Sequence, residues 1–241
     1  MPRPAIRRRT GVVAALRKEV LVANQELARR DLAQFTFGNA SAIDRARGLV
    51  VIKPSGVSYD TMKASDLVVT DLEGRVVEGE LRPSSDLLTH LVLYRAFLDV
   101  GGVVHTHSHF ATVWAQAGRE IPCYGTTHAD HFHGAIPVTP PLDAVEVRSR
   151  YEANTGHAIV RRLAGRDPLE MPAALVSGHA SFCWGTTVSD AVETASILEE
   201  VARLAFHTTV LNMDCAPIAD ALLEKHFTRK HGAGATYGQR K

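Results

Sequence analysis

The chain has 241 residues, 45% hydrophobic and 22% charged, with 27 basic against 26 acidic side chains. This is the composition of a globular chain with a core, which excludes extensive disorder. Its near-neutral balance lacks the basic face that nucleic-acid binding needs. No apolar run approaches the roughly 18 residues of a membrane-spanning helix, so neither a nucleic acid nor a membrane is expected as a partner. Cys123, Cys183 and Cys215 are too few and too scattered for a disulfide framework or a CxxC metal site. They fit a reducing, cytoplasmic setting.

In chain order, residues 1–10 form a basic arm. Arg7-Arg8-Arg9 imitates a twin-arginine signal, but the apolar run after it stops at Arg17-Lys18-Glu19. Val13, Leu16, Val20, Ala23 and Leu27 recur at three and four, which predicts an amphipathic helix over about 11–33. Phe35 to Asn39 reads as a strand entering a Gly-Asn turn. Leu49 to Ile52 reads as a strand stopped by Pro54-Ser55-Gly56. Leu67–Thr70 and Val76-Val77 flank a Gly-containing hairpin loop. After Pro83-Ser84-Ser85-Asp86 a helix is expected, with Leu87, Leu91, Tyr94 and Leu98 as its apolar stripe.

Gly102 to His107 is a buried strand, with Ser108 as the cap of the next helix. Asp143 to about Leu163 reads as one helix, Ala173–Val176 and Phe182–Trp184 as strands, and Asp190 to about Leu211 as a long helix capped by Ser189. A short helix follows Pro217. With neither repeat nor linker, residues 11–241 form one α/β domain. Its hairpins argue against a purely parallel, doubly wound sheet. Phe97, Trp114, Phe132 and Trp184 are assigned to the core.

The chemistry concentrates in twelve histidines. In His105-Thr106-His107, residues two apart on a strand share a face, so both imidazoles can lie about 2 Å from one divalent ion. His109 falls inside the following helix and is left out. A third ligand is open between His128, His131, His133 and His179; strand ends meet at one rim of a sheet, which favours His179. Lys53-Pro54-Ser55-Gly56 and Pro83-Ser84-Ser85 each read as an ordinary turn or cap, or as an anion site at unpaired N–H groups. Asp86 is a metal ligand, a base or a carboxylate stabilising a helix start. Neither turn is a nucleotide-binding fingerprint.

Taken together, Gly38-Asn39, KPSG at 53–56, PSSD at 83–86, HTHSHFATVWAQAG at 105–118, GTTHADHFHG at 125–134 and RKHGAGATYGQ at 229–239 resemble the class II aldolase/adducin family. The match runs from about residue 11 onward and is strongest toward the sugar-phosphate 4-epimerases of that family. The resemblance implies a single α/β domain with a central, largely antiparallel sheet flanked by helices, assembled as a homotetramer with sites at subunit interfaces. It implies a divalent metal, zinc foremost with manganese or cobalt as alternatives, on His105, His107, His179 and Asp86. Gly38, Asn39, Lys53, Ser55, Gly56, Ser84, Ser85, Asp86, Thr126, Glu152 and Arg229 would contact a phosphorylated ketopentose. Asp130 and Tyr237 would exchange protons with it across the interface.

The activity implied is metal-dependent inversion at C4 of a ketopentose 5-phosphate, L-ribulose 5-phosphate to D-xylulose 5-phosphate, by breaking and remaking a carbon–carbon bond. A phenol near pKa 10 suits that exchange better than a carboxylate does, so Asp130 is expected to have its pKa raised by burial across the interface. A sugar-phosphate aldolase is the alternative, and a non-catalytic adducin-like scaffold the third reading. Two blocks depart from the family pattern. Ser177 to Ser181 is poorer in His and Gly-Pro, and His131 and His133 stand where Tyr is common.

Overall fold

The computed structural model describes residues 4–231 and 235–236, with side chains from Val13 onward. Helix α1 spans Pro4–Arg29; it starts earlier than the apolar repeat and stops short of residue 33. Val13, Val20, Ala23 and Leu27 are buried along its inner face. On that face sits a buried polar residue, Asn24. Its Nδ2 donates to the Ala40 carbonyl (3.1 Å), and its Oδ1 accepts from the Ala40 N–H (2.8 Å). This pair of bonds pins α1 across strand β1, Asn39–Asp44.

The strand expected at 35–39 is displaced. Phe35 has φ +55 and the chain turns there, so the strand begins only at Asn39. Its sequence NASAID is small and polar, without the β-branched run that advertises a strand. Pairing on both sides puts it inside the sheet. The remaining strands are β2 Leu49–Ile52, β3 Val68–Asp71, β4 Val76–Glu78, β5 Gly102–Thr106, β6 Ala173–Leu175 and β7 Ser181–Gly185. Their order is β4-β3-β2-β1-β5-β7-β6, every neighbouring pair antiparallel, as the resemblance implied.

Helices α2 Leu87–Ala96, α3 His109–Gln116, α4 Thr126–Ala129, α5 Ala144–Arg148, α6 Tyr151–Arg162, α7 Val188–Leu211 and α8 Asp220–His231 flank the sheet. Three expectations change. The helix expected over 143–163 is two, broken at Ser149 and Arg150, whose backbones leave helical geometry. Asn154 Nδ2 covers the freed Glu146 carbonyl at the break (2.8 Å). The cap of α7 is Thr187, not Ser189, in a reciprocal capping box with Asp190. Leu98 lies beyond α2 and is exposed, whereas Leu87, Leu91 and Tyr94 are buried.

Phe97, Trp114, Phe132 and Trp184 are all core residues. The three cysteines are free. No helix among the described residues is long and apolar enough to cross a membrane.

Candidate active site

The site starts from strand pairing. In the antiparallel register His105 lies opposite Asn39 on one side and Phe182 on the other, which fixes it at the rim of the sheet. His105 Nδ1–H donates to the Ser181 carbonyl (2.8 Å), and its ring stacks on Phe182 with centroids 4.3 Å apart. That bond leaves Nε2 as the free lone pair. His107 lies just past the end of β5, so its direction comes from the turn rather than from strand alternation. His179 enters from the turn between β6 and β7, closed by its N–H to the Val176 carbonyl (3.0 Å).

The ligand nitrogens of His105, His107 and His179 all lie within 4.8 Å of one another. His105 Nε2 and His107 Nε2 are 3.1 Å apart, close to the roughly 3.3 Å between two nitrogens on a tetrahedral ion at about 2.0–2.1 Å. Two imidazole nitrogens this close share either a tautomeric N–H or a cation. Burial, with His105 and His107 alongside, pushes His179 down to about 4, and burial lowers His107 as well. The set therefore fits a divalent metal by donor type, separation and charge state. His109, His128, His131 and His133 stand outside this group.

A cavity of about 480 Å³ opens in front of the three imidazoles. Gly38, Asn39, Lys53, Ser55, Gly56, Ser84, Ser85 and Asp86 all line it, with Thr36, Phe37 and Pro54. The two Ser/Gly turns are held side by side. Ser55 N–H donates to the Arg82 carbonyl (3.0 Å) and Ser84 N–H to the Lys53 carbonyl (2.9 Å). Lys53 is only 2% exposed and its ammonium lies 4.9 Å over the Tyr59 ring, where burial lowers its pKa. A buried ammonium beside two hydroxyls and an open glycine backbone makes an anion cradle. Gly38 has φ +79, and a Cβ there would stand 2.6 Å from the His105 carbonyl, so only glycine lets this wall approach the histidine strand.

Asp86 precedes α2 and leaves the helix uncapped. Its Oδ2 instead accepts from Asn39 Nδ2 (2.7 Å). Burial alone would raise its pKa, but His105, His90 and the Asn39 hydrogen bond outweigh that and keep the carboxyl below its usual range. The structure thus places Asp86 in the cavity beside the histidine group, already engaged by Asn39. Sequence reasoning passed over His90, whose Nδ1 meets Ser41 Oγ at 2.7 Å beneath Asp86, and Tyr151, whose hydroxyl lies 3.4 Å from His179 Nδ1. Their only signal is the i, i+4 spacing of Asp86 and His90 on α2 and the position of Tyr151 at the start of α6.

The remaining candidates gather elsewhere. Asp130, at the end of α4, accepts from Arg229 of α8 at both oxygens (3.1 and 2.8 Å) and meets His226 Nδ1 at 3.0 Å. Its carbonyl accepts from His231 Nε2 (2.9 Å), and its N–H donates to the Thr126 carbonyl (2.9 Å). His131 accepts from Lys230 (3.0 Å), and burial and that ammonium bring it down to about 4. His133 pairs with Glu224 at 2.6 Å. Burial tends to raise Asp130, but Arg229 and His226 prevail and hold it below the usual carboxylate range. Within one chain the guanidinium outweighs desolvation; the raised pKa was expected from burial across a subunit interface, which a single chain does not contain.

Thr126, Asp130, Glu152 and Arg229 do not line the cavity of the histidines. Glu152 sits in α6, where its backbone carbonyl accepts from Thr89 Oγ1 (2.6 Å). Tyr237 lies outside the described residues.

A histidine triad on the rim of an antiparallel sheet faces a Ser/Gly cradle, an arrangement that could hold a divalent metal and an anion in one enzyme site. The chain belongs to the class II aldolase/adducin family: the profile of the Class II Aldolase and Adducin N-terminal domain matches residues 18–206. It is 54% identical over 225 residues to proteins of Salmonella paratyphi A and Salmonella typhi named L-ribulose-5-phosphate 4-epimerase UlaF. The match covers 93% of this chain and 99% of each of those proteins. Among solved structures, an L-fuculose 1-phosphate aldolase superposes with TM-score 0.76 at 26% identity, covering 88% of this chain and 94% of that one. The L-fuculose 1-phosphate aldolase of Glaciozyma antarctica has the same fold, with TM-score 0.74 at 18% identity over 92% of this chain and 84% of that one.

Proposed function

We propose that the protein is a metal-dependent epimerase that inverts C4 of a ketopentose 5-phosphate, converting L-ribulose 5-phosphate to D-xylulose 5-phosphate. The observation that carries this reading is the opening of three clustered imidazoles and a buried-lysine anion cradle into one cavity. The 54% identity to proteins named for that reaction, over nearly their whole length, supports the choice of substrate. His105, His107 and His179, with Asp86 beside them, would hold the ion; zinc is foremost and manganese or cobalt also suit the donors. When bound, the ion supplies Lewis-acid stabilisation of negative charge on the sugar's ketone end.

Lys53, Ser55, Gly56, Ser84 and Ser85 bind the phosphate and set the distance of C4 from the histidines. Asn39 orients Asp86. Asp130, ionised beside Arg229, takes the proton of the C4 hydroxyl as the C3–C4 bond opens. Tyr237, a phenol that suits an alkoxide, returns a proton to the C4 oxygen when the bond re-forms on the other face. Thr126 and Glu152 complete the substrate contacts from the same side. Since Asp130, Thr126 and Arg229 do not line the cavity of their own chain, we place them at that of a neighbour, in a cyclic homotetramer whose sites lie at subunit interfaces. The free cysteines suit a cytoplasmic location.

A class II aldolase is the second reading, favoured by the likeness to an L-fuculose 1-phosphate aldolase. Incubating the zinc-loaded protein with L-ribulose 5-phosphate and following products by NMR decides between them. Formation of D-xylulose 5-phosphate, abolished by EDTA, is the expected result. Stoichiometric free aldehyde without epimer would overturn it.

A further inference from the structure

The segment between α1 and β1 carries two exposed aromatic rings, of which Phe37 lines the cavity. Phe35 is 78% exposed and Phe37 55% exposed, and their rings meet edge-on at 5.6 Å. Phe35 sits at φ +55, left-handed backbone that a bulky side chain adopts only where its surroundings impose it. Phe37 is pinned on both sides. Its N–H donates to the Gln34 carbonyl (3.0 Å), and its carbonyl accepts from the Tyr59 hydroxyl (2.7 Å), which also reaches the Gly38 carbonyl (2.8 Å). Tyr59 is itself buried beneath Lys53 of the anion cradle.

The Phe37 ring therefore stands on a fixed backbone, lines the cavity, and lies 6.3 Å from the His107 ring, yet remains half exposed. An apolar ring held rigidly against water gains nothing from the fold. It is well suited to cover a ligand, because little side-chain freedom remains to be lost on contact.

We propose that Phe37 is the specificity-determining wall that retains the phosphorylated aldehyde between cleavage and re-bonding, and so decides whether this chain epimerises or merely cleaves. The inference rests on the epimerase reading above. In that reaction the C3–C4 bond opens with its electron pair remaining on the three-carbon ketone fragment, and the C4 hydroxyl proton passes to Asp130. The other fragment is glycolaldehyde phosphate. Rotation about its C4–C5 bond presents the opposite carbonyl face, the pair returns to C4, and Tyr237 supplies the proton to the C4 oxygen. Bonds and electrons balance without any co-reactant, and the cycle closes when the proton on Asp130 returns through solvent to the Tyr237 phenolate.

The cradle anchors only the phosphate end during this turn. The aldehyde end needs a boundary that fills space and blocks exit but offers no hydrogen bond to arrest rotation. An aromatic face beside the histidines has those properties, and Thr36, Gly38 and Asn39 on the same stretch cannot supply them.

The test is the partition of L-ribulose 5-phosphate by zinc-loaded Phe37→Ala, Phe37→Trp and wild-type protein. Trapped glycolaldehyde phosphate is measured against D-xylulose 5-phosphate. Phe37→Ala is expected to raise that ratio about tenfold or more, and Phe37→Trp to keep it near the wild-type value. Metal content and melting temperature report whether the variants fold. A merely structural role would leave the ratio unmoved, and that result overturns the assignment. A wild-type protein that forms neither product sinks the epimerase reading itself, and this inference with it. As an independent readout, the indole of Phe37→Trp should change its emission on addition of glycolaldehyde phosphate; constant emission contradicts the wall.

Discussion

The histidine cavity and the α4–α8 corner treat charge in opposite ways. At the cavity, burial lowers His179 to about 4 and lowers His107 as well, and the His105–His107 nitrogens face each other at 3.1 Å. At the corner, helix α8 brings charge to a carboxylate. Arg229 and His226 converge on Asp130 and keep it ionised against the desolvation of its surroundings. The first region is prepared for a cation and is complete within one chain. The second holds an ionised carboxylate and does not line the histidine cavity. That separation is what motivates the proposal of a site shared between subunits.

Breaking the first region should have the largest effect. His105→Ala removes both a nitrogen donor and the Ser181 anchor, so bound zinc should fall below one per chain. The several kcal/mol that a metal contributes to charge stabilisation should be lost with it, a drop of about 10⁴-fold in kcat/KM. Full metal occupancy in this variant would contradict the triad. Asp130→Asn should lower kcat by about 10³-fold, within the range for a general base. Its metal content should stay normal, separating the two regions. Unchanged epimerisation would remove Asp130 from the chemistry.

Lys53→Met should raise KM for the phosphorylated sugar by about 10- to 100-fold, the range for hydrogen bonds to charged groups, with little change for the unphosphorylated ketose. Equal losses for both would argue against the cradle. Tyr151→Phe should weaken zinc binding by about tenfold, the low end for a group that orients a ligand, because its hydroxyl stands 3.4 Å from His179. Competition with a fluorescent chelator measures this.

The smallest effect spreads over both regions. Unfolded histidines protonate near pH 6.5, whereas burial holds His128 and His131 neutral down to about 4 and His90 down to about 3. Between those values the unfolded state binds more protons, so stability falls as pH drops from 6.5 toward 4. The melting temperature of the metal-free protein should decline by about 5 °C or more over that window. A flat profile would show that these side chains are not held neutral.

Much of the cavity was legible because its parts are local. His105-Thr106-His107 follows an apolar strand, and the Ser/Gly turns stop recognisable strands. The illegible parts have physical reasons. Strand β1 is made of small residues because it lies inside the sheet beneath α1, so it shows no β-branched signal, and the nearby aromatics drew the assignment to 35–39 instead. Phe37 was read as part of that strand, whereas it precedes β1 and its ring lines the cavity. The break at Ser149 and Arg150 was hidden because helical spacing continues across it. The sign of the Asp130 shift depended on Arg229 and His226, which are nearly a hundred residues away in sequence.

By itself the sequence determined the fold class, the family and the two-histidine strand end, since these depend on periodicity and on blocks of adjacent residues. Tertiary structure alone decided that Lys53 is buried with the Ser84 turn docked on its backbone, and that Asp130 stays ionised outside the cavity of the histidine triad. Those outcomes depend on distances between segments. Antiparallel pairing and the docking of α8 set such distances, and no local run of side chains encodes them.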